Sequence, residues 1–185
     1  MAAVLAVCYP ILRAQESSAI WNGSEVRVLA PKFRFLTGKA LERLKNGSAV
    51  TFAFQLTANA DTAVLKRVVE RFAVSYDLWE EKFSITQMLH QQKNPRRAGS
   101  RLSQAAAEAW CLESFVLATE GIAADRLITL QLDVIAENKD YSPLLTEPGL
   151  SLTSLIELFS RPARPGREQR AQLHVGPLRL NDIKR

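Results

Sequence analysis

Two cysteines, Cys8 and Cys111, and two histidines, His90 and His174, are the side chains best suited to metal binding or nucleophilic chemistry. Their spacing supports neither. No CxxC or HxxxH pair occurs, so the four close soft ligands of a structural zinc site are missing. A nucleophilic cysteine needs a neighbouring base and an electropositive setting. Cys111 instead falls in an Ala-rich helical stretch and reads as a small buried apolar residue. His90 follows a strand-like run beside a basic segment and reads as a surface residue. His174 alternates with apolar neighbours and reads as structural. Asp77 beside Tyr76 has the composition of an acid/base pair. Aspartate also closes turns through local backbone hydrogen bonds, and that reading is preferred. No GxGxxG, Walker, GxSxG or HExxH motif is present. The expectation is therefore no catalytic residue, no metal and no cofactor.

Charge is the other chemical resource. Lys and Arg number 24 against 19 Asp and Glu, a net charge of +5 over 185 residues. Lys93, Arg96, Arg97 and Arg101 contribute +4 in one short segment. Arg161, Arg164, Arg167 and Arg170, offset by Glu168, contribute +3 in another, which leaves −2 for the remaining chain. These two stretches, near 93–101 and 161–170, read as basic loops. Solvated loops that maintain solubility are one reading. The other is a weak anion site made by Arg96, Arg97, Arg101, Arg161, Arg164, Arg167 and Arg170, facing phosphate, anionic lipid head groups or an acidic partner. Nucleic acid is disfavoured, because no aromatics interleave with the arginines to stack on bases.

The elements that must position these groups follow from periodicity. Residues 1–15 begin MAAVLAVCYPI and turn polar at Arg13-Ala14-Gln15, as a signal peptide cleaved near Ala14 or Gln15 would. The basic n-region is missing, and a buried N-terminal element is the alternative. Residues 16–185 read as one domain, a length able to bury roughly 70% of its unfolded surface without disulfides. Glu25–Ala30 alternates as a strand. Thr37 is placed to cap a helix over Gly38–Lys45, with Asn46-Gly47 as its stop. In Ser48–Ala58, Val50, Phe52, Phe54 and Leu56 face one way, and Thr51, Ala53, Gln55 and Thr57 the other. Val64–Tyr76 and the alternation after Trp79 predict a hairpin. Ser103 opens a helix to about Leu117, with Gly121 placed to end it. Leu127–Ala136 alternates as a strand. Ser151–Ser160 is amphipathic and predicts a helix. Leu173–Leu180 predicts a last strand broken at Gly176-Pro177. The sequons at Asn22 and Asn46 read as turns. One-sided strands in irregular order with helices predict an α+β fold: an antiparallel β-sheet with two or three helices packed on one face, and the other face wet. The first apolar run is too short to span a membrane, and no other segment is apolar enough to do so.

Leu41-Glu42-Arg43-Leu44-Lys45-Asn46-Gly47-Ser48-Ala49-Val50, then an alternating strand, then Phe72-Ala73-Val74-Ser75-Tyr76-Asp77, resembles a bacterial family of exported proteins, domain of unknown function 4390. The likeness covers about residues 25–135. It departs at the end of the chain, where the family carries Trp motifs. Trp21, Trp79 and Trp110 all lie earlier here. The resemblance implies an exported, periplasmic or secreted β-rich domain and brings no catalytic residue. A protein that retains Met1 would be cytoplasmic. Three functions are weighed. The favoured one is a non-catalytic accessory or binding domain, whose partner is another envelope protein or an anionic ligand at a sheet edge or groove. The others are a polyanion binder using the arginines and a hydrolase with a dispersed site.

Overall fold

The alternation of Val50, Phe52, Phe54 and Leu56 builds the centre of the molecule. The structure, a computed structural model, describes residues 17–88, 97–137 and 169–183. Its strands are β1 (Ser18–Trp21), β2 (Glu25–Leu29), β3 (Val50–Ala60), β4 (Ala63–Asp77), β5 (Lys82–Met88), β6 (Arg97–Leu102), β7 (Leu117–Ala118), β8 (Ile128–Ala136) and β9 (Arg170–Leu178). Its helices are α1 (Gly38–Lys45) and α2 (Gln104–Ser114). Six strands pair in the order β6-β5-β4-β3-β8-β9, and β1-β2-β7 form a smaller sheet. Every pairing is antiparallel. This is the antiparallel α+β class that the alternation predicts.

One face of the large sheet carries the aromatic core. Phe52 lies opposite Phe72 in the β3–β4 register. Phe54 meets Phe72 edge-on at 4.8 Å and Phe115 at 5.8 Å, while Phe35 meets both Phe52 and Phe54 at 5.1 Å. Such edge-to-face pairs add about 0.5–1.5 kcal/mol each beyond the area they bury. Ala40 and Leu44 of α1, Ala107, Cys111 and Leu112 of α2, and Val26, Val28 and Leu117 of the small sheet join this core.

The opposite face departs from the expected wet surface. Ala53 and Asp133 are fully buried there, and Gln55, Thr57 and Ile135 nearly so. The register sets Gln55 against Asp133, and Asp133 against Gln172. Strict alternation therefore marks two buried faces of different polarity at β3 and β8.

Helix ends follow local chemistry, with one exchange. Asn46, Gly47 and Ser48 close α1 through Gly47 N–H to Leu44 O at 2.9 Å and Ser48 N–H to Arg43 O at 3.0 Å, with Gly47 at φ +80°. Thr37 occupies the N-cap, but its side chain does not cap. Gln169 does so instead, accepting from Ala40 N–H at 3.2 Å and donating to Thr37 Oγ1 at 2.5 Å. Ser103 caps α2 as predicted, accepting from Ala106 N–H at 3.3 Å. That helix stops at Ser114, short of Leu117 and Gly121, because Phe115 and Leu117 turn into the core.

The 94–100 region is corrected as well. From Arg97 it is edge strand β6, paired with β5, not a loop. Charged residues suit an edge, where they block pairing with other chains. Arg170 likewise begins β9. The signal-peptide segment, the helix over 151–160 and most of the 161–170 segment lie outside the described residues. Among the described residues no helix is long and apolar enough to cross a membrane.

Candidate ligand-binding cleft

A seam runs between β2 and the C-terminal half of α2. On β2, Val26 and Val28 enter the core, so alternation turns Arg27 and Leu29 the other way. On α2, Trp110, Glu113 and Ser114 stand at i, i+3 and i+4, which places them on one face. Gly99 of β6 admits the Trp110 indole, since a Cβ there would come within 3.2 Å of the ring. Trp110 is also braced by Phe72, edge-on at 6.2 Å.

These residues enclose a polar cleft of about 400 Å³ lined by Arg27, Ala98, Trp110, Glu113 and Ser114. An apolar groove of about 260 Å³ adjoins it, lined by Val28, Leu29, Ala30, Pro31, Ala109, Leu112 and Glu113. Glu113 belongs to both. Among the described residues, none of the side chains of Arg27, Trp110, Glu113 and Ser114 has a hydrogen-bond or ion-pair partner. A guanidinium, an indole, a hydroxyl and a carboxylate thus line one cleft beside an apolar slot, the usual composition of a ligand site.

Other titratable groups are committed elsewhere. Glu108 is 1% exposed, and its Oε1 accepts from Phe35 N–H at 2.9 Å and Leu36 N–H at 3.0 Å. Its Oε2 faces Arg34 Nε at 3.4 Å. Burial pushes the carboxyl above the usual carboxylate range, against the pull of those two N–H groups and Arg34. Cys111, one turn on, is fully buried, as its helical setting predicts. Burial, reinforced by Glu108, holds its thiol well above the ordinary range. Asp77 closes the β4–β5 turn by accepting from Trp79 N–H at 2.8 Å and Glu80 N–H at 3.0 Å. The Glu80 and then the Trp79 N–H lower its pKa, and the acid/base reading falls away. Burial raises the Glu137 carboxyl, opposed by Arg71 at 2.8 Å. Asn22 Oδ1 accepts from Ser24 and Glu25 N–H groups, as a turn residue would. His174 is exposed on β9, and His90 lies outside the described residues. Among the described residues no three His, Cys, Asp or Glu side chains gather as metal ligands.

The arginines singled out by charge do not assemble among the described residues. Arg101 pairs with Glu80 at 3.1 Å near the β5–β6 edge. Arg170 donates to Asp133 Oδ1 through Nη2 at 2.8 Å and Nε at 3.1 Å. Arg97 and Arg101 sit on β6 and Arg170 on β9, opposite ends of a six-stranded order. Five strand spacings separate them, on the order of 20 Å. Arg96, Arg161, Arg164 and Arg167 lie outside the described residues. Charge counting passed over the cleft because its charges, Arg27 and Glu113, cancel. The signals available were the Trp110, Glu113, Ser114 spacing and a lone arginine in the apolar alternation of β2. Compared with known proteins, the chain matches no family model, no curated protein and no solved structure.

Proposed function

We propose that this chain is an exported bacterial envelope protein, an accessory or binding domain without catalytic machinery; the resemblance to domain of unknown function 4390 implies the exported, β-rich part of that reading. Its ligand enters the seam between β2 and α2. The observation that carries this reading is the convergence of four unpartnered polar side chains on a cleft that opens into an apolar groove. The signal-like first residues support export to the periplasm or beyond. The polyanion reading draws less support, because Arg101 and Arg170 are already ion-paired.

Titration of the isotope-labelled full chain with small carboxylates, amides and indoles, followed by NMR, tests the site. Shifts are expected to cluster at Arg27–Pro31 and Ala109–Ser114. Shifts confined to other regions, or none at millimolar concentration, would remove the seam as the binding site. N-terminal sequencing of the protein from an envelope fraction tests export. A start near Gln15 is expected, and an intact Met1 in the cytosol rejects it.

A further inference from the structure

With α2 packed along β2, the chemistry that the seam offers a ligand is that of its side chains. Its two charged side chains are of opposite sign. Arg27 and Glu113 line the same cleft of about 400 Å³, yet they form no ion pair with each other, which would need an N–O approach within about 4 Å. A ligand of net charge would meet one of them with like charge, at an electrostatic cost. A zwitterion meets both with opposite charge. Ser114 adds a third polar group. It is 9% exposed, and among the described residues its hydroxyl has no partner, which is uncommon for a group so buried. The lining also orders these groups. Arg27 and Ser114 border the polar cleft alone, whereas Glu113 also borders the apolar groove, beside Val28, Ala30 and Leu112. Trp110 gives the cleft a fixed wall, its ring braced edge-on by Phe72 and set against Gly99.

Resting on the reading of the seam as the binding site, we infer that its ligand is a small zwitterion with an apolar branch, a free α-amino acid whose side chain is apolar. The ligand's carboxylate accepts from the Arg27 guanidinium and the Ser114 hydroxyl, the former a charge-assisted bond. Its ammonium donates to the Glu113 carboxylate. In an α-amino acid the ammonium and the side chain leave the same carbon. An ammonium held by Glu113, the residue that borders both spaces, therefore directs the side chain into the groove. The groove has the room, about 260 Å³ against the ~150 Å³ of a cavity that admits benzene. Burial of that side chain supplies the apolar part of the affinity, and the two charges fix the ligand's orientation.

The probes are L-leucine, L-methionine and L-phenylalanine, each beside its N-acetyl form, which lacks the ammonium, and its carboxamide, which lacks the carboxylate. Glycine, which lacks the side chain, completes the set. Binding to the isotope-labelled full chain is read by NMR shifts and by calorimetry. At least one free amino acid is expected to shift Arg27–Pro31 and Ala109–Ser114, with its two blocked forms and glycine each at least ten-fold weaker. Arg27→Gln is expected to bring that amino acid down to the level of its carboxamide, and Glu113→Gln to the level of its N-acetyl form. Equal affinity of free and blocked forms, or an amino acid that keeps its affinity in either variant, would overturn the inference. If small carboxylates, amides or indoles shift the seam but no free amino acid binds more tightly than its blocked forms, the zwitterion proposal fails while the site stands. If none of these compounds perturbs the seam, both fall.

Discussion

Asp133 and Glu113 are both carboxylates on regular elements, yet their surroundings are opposite. Asp133 is fully buried on β8. Its Oδ1 accepts from Arg170 and from Gln172 Nε2 at 2.5 Å, and its Oδ2 from Gln131 Nε2 at 2.8 Å. Glu113 is exposed on α2, and among the described residues nothing binds it. Around Asp133, polar groups from β8 and β9 satisfy one another and fix register. Around Glu113, polar groups from β2 and α2 converge and leave their capacity unused. A satisfied polar cluster contributes to stability, and the open one beside an apolar slot is what the proposed binding role rests on.

The largest expected effect is on the buried side of this contrast. Asp133→Ala leaves the Arg170 guanidinium, about a quarter exposed, without its counter-charge. Breaking such a pair costs about 3–5 kcal/mol. Urea denaturation should show the midpoint falling accordingly. A loss below about 1 kcal/mol, the range of an exposed pair, would mean that Asp133 does not organise β8 and β9.

Glu108 is the intermediate case, buried like Asp133 but holding a loop instead of a strand pair. Glu108→Ala strips the acceptor from Phe35 and Leu36 N–H, at a cost of about 1–3 kcal/mol. Its pH dependence gives a sharper test. The folded-state pKa is raised above the ordinary 4.5, so the folded chain holds this proton more tightly than the unfolded chain. Its contribution to stability is complete below pH 4.5 and is lost as the pH rises through the folded value. Glu108→Gln keeps a carbonyl for the two N–H groups and removes the proton. Between pH 4.5 and 7 the wild type should therefore lose stability relative to Glu108→Gln. Parallel stability curves for the two proteins would show that burial does not govern this carboxyl.

How far each region could be read from sequence differs for a physical reason. Alternation along Ser48–Ala58 fixes which residues share a face, and Val50, Phe52, Phe54 and Leu56 do form the aromatic core. It does not say whether the second face is covered, and Gln55 and Thr57, expected to be wet, are buried. Charge density marked Arg97, but an edge strand tolerates charge as readily as a loop does. Thr37 had the right type to cap α1, yet the cap comes from Gln169, 132 residues later in the chain. No local rule reaches that far. The seam was the hardest part to read. Trp110, Glu113 and Ser114 share a helix face in sequence, but Arg27 joins them only once β2 and α2 lie side by side.

The smallest expected effect on stability is the one that most sharpens the contrast. Arg27→Gln and Glu113→Gln remove charges that, among the described residues, bond to nothing. Surface substitutions of this kind change stability by no more than about 0.5 kcal/mol. Combined with Asp133→Ala they should add to its loss without coupling, because the two clusters share no partner. Denaturation of the single and combined variants measures both points. A loss above about 1 kcal/mol from Arg27→Gln alone would show that its guanidinium serves the fold. In that event its lack of partners could no longer be read as capacity reserved for a ligand, and the division between a spent and an unspent polar cluster would disappear.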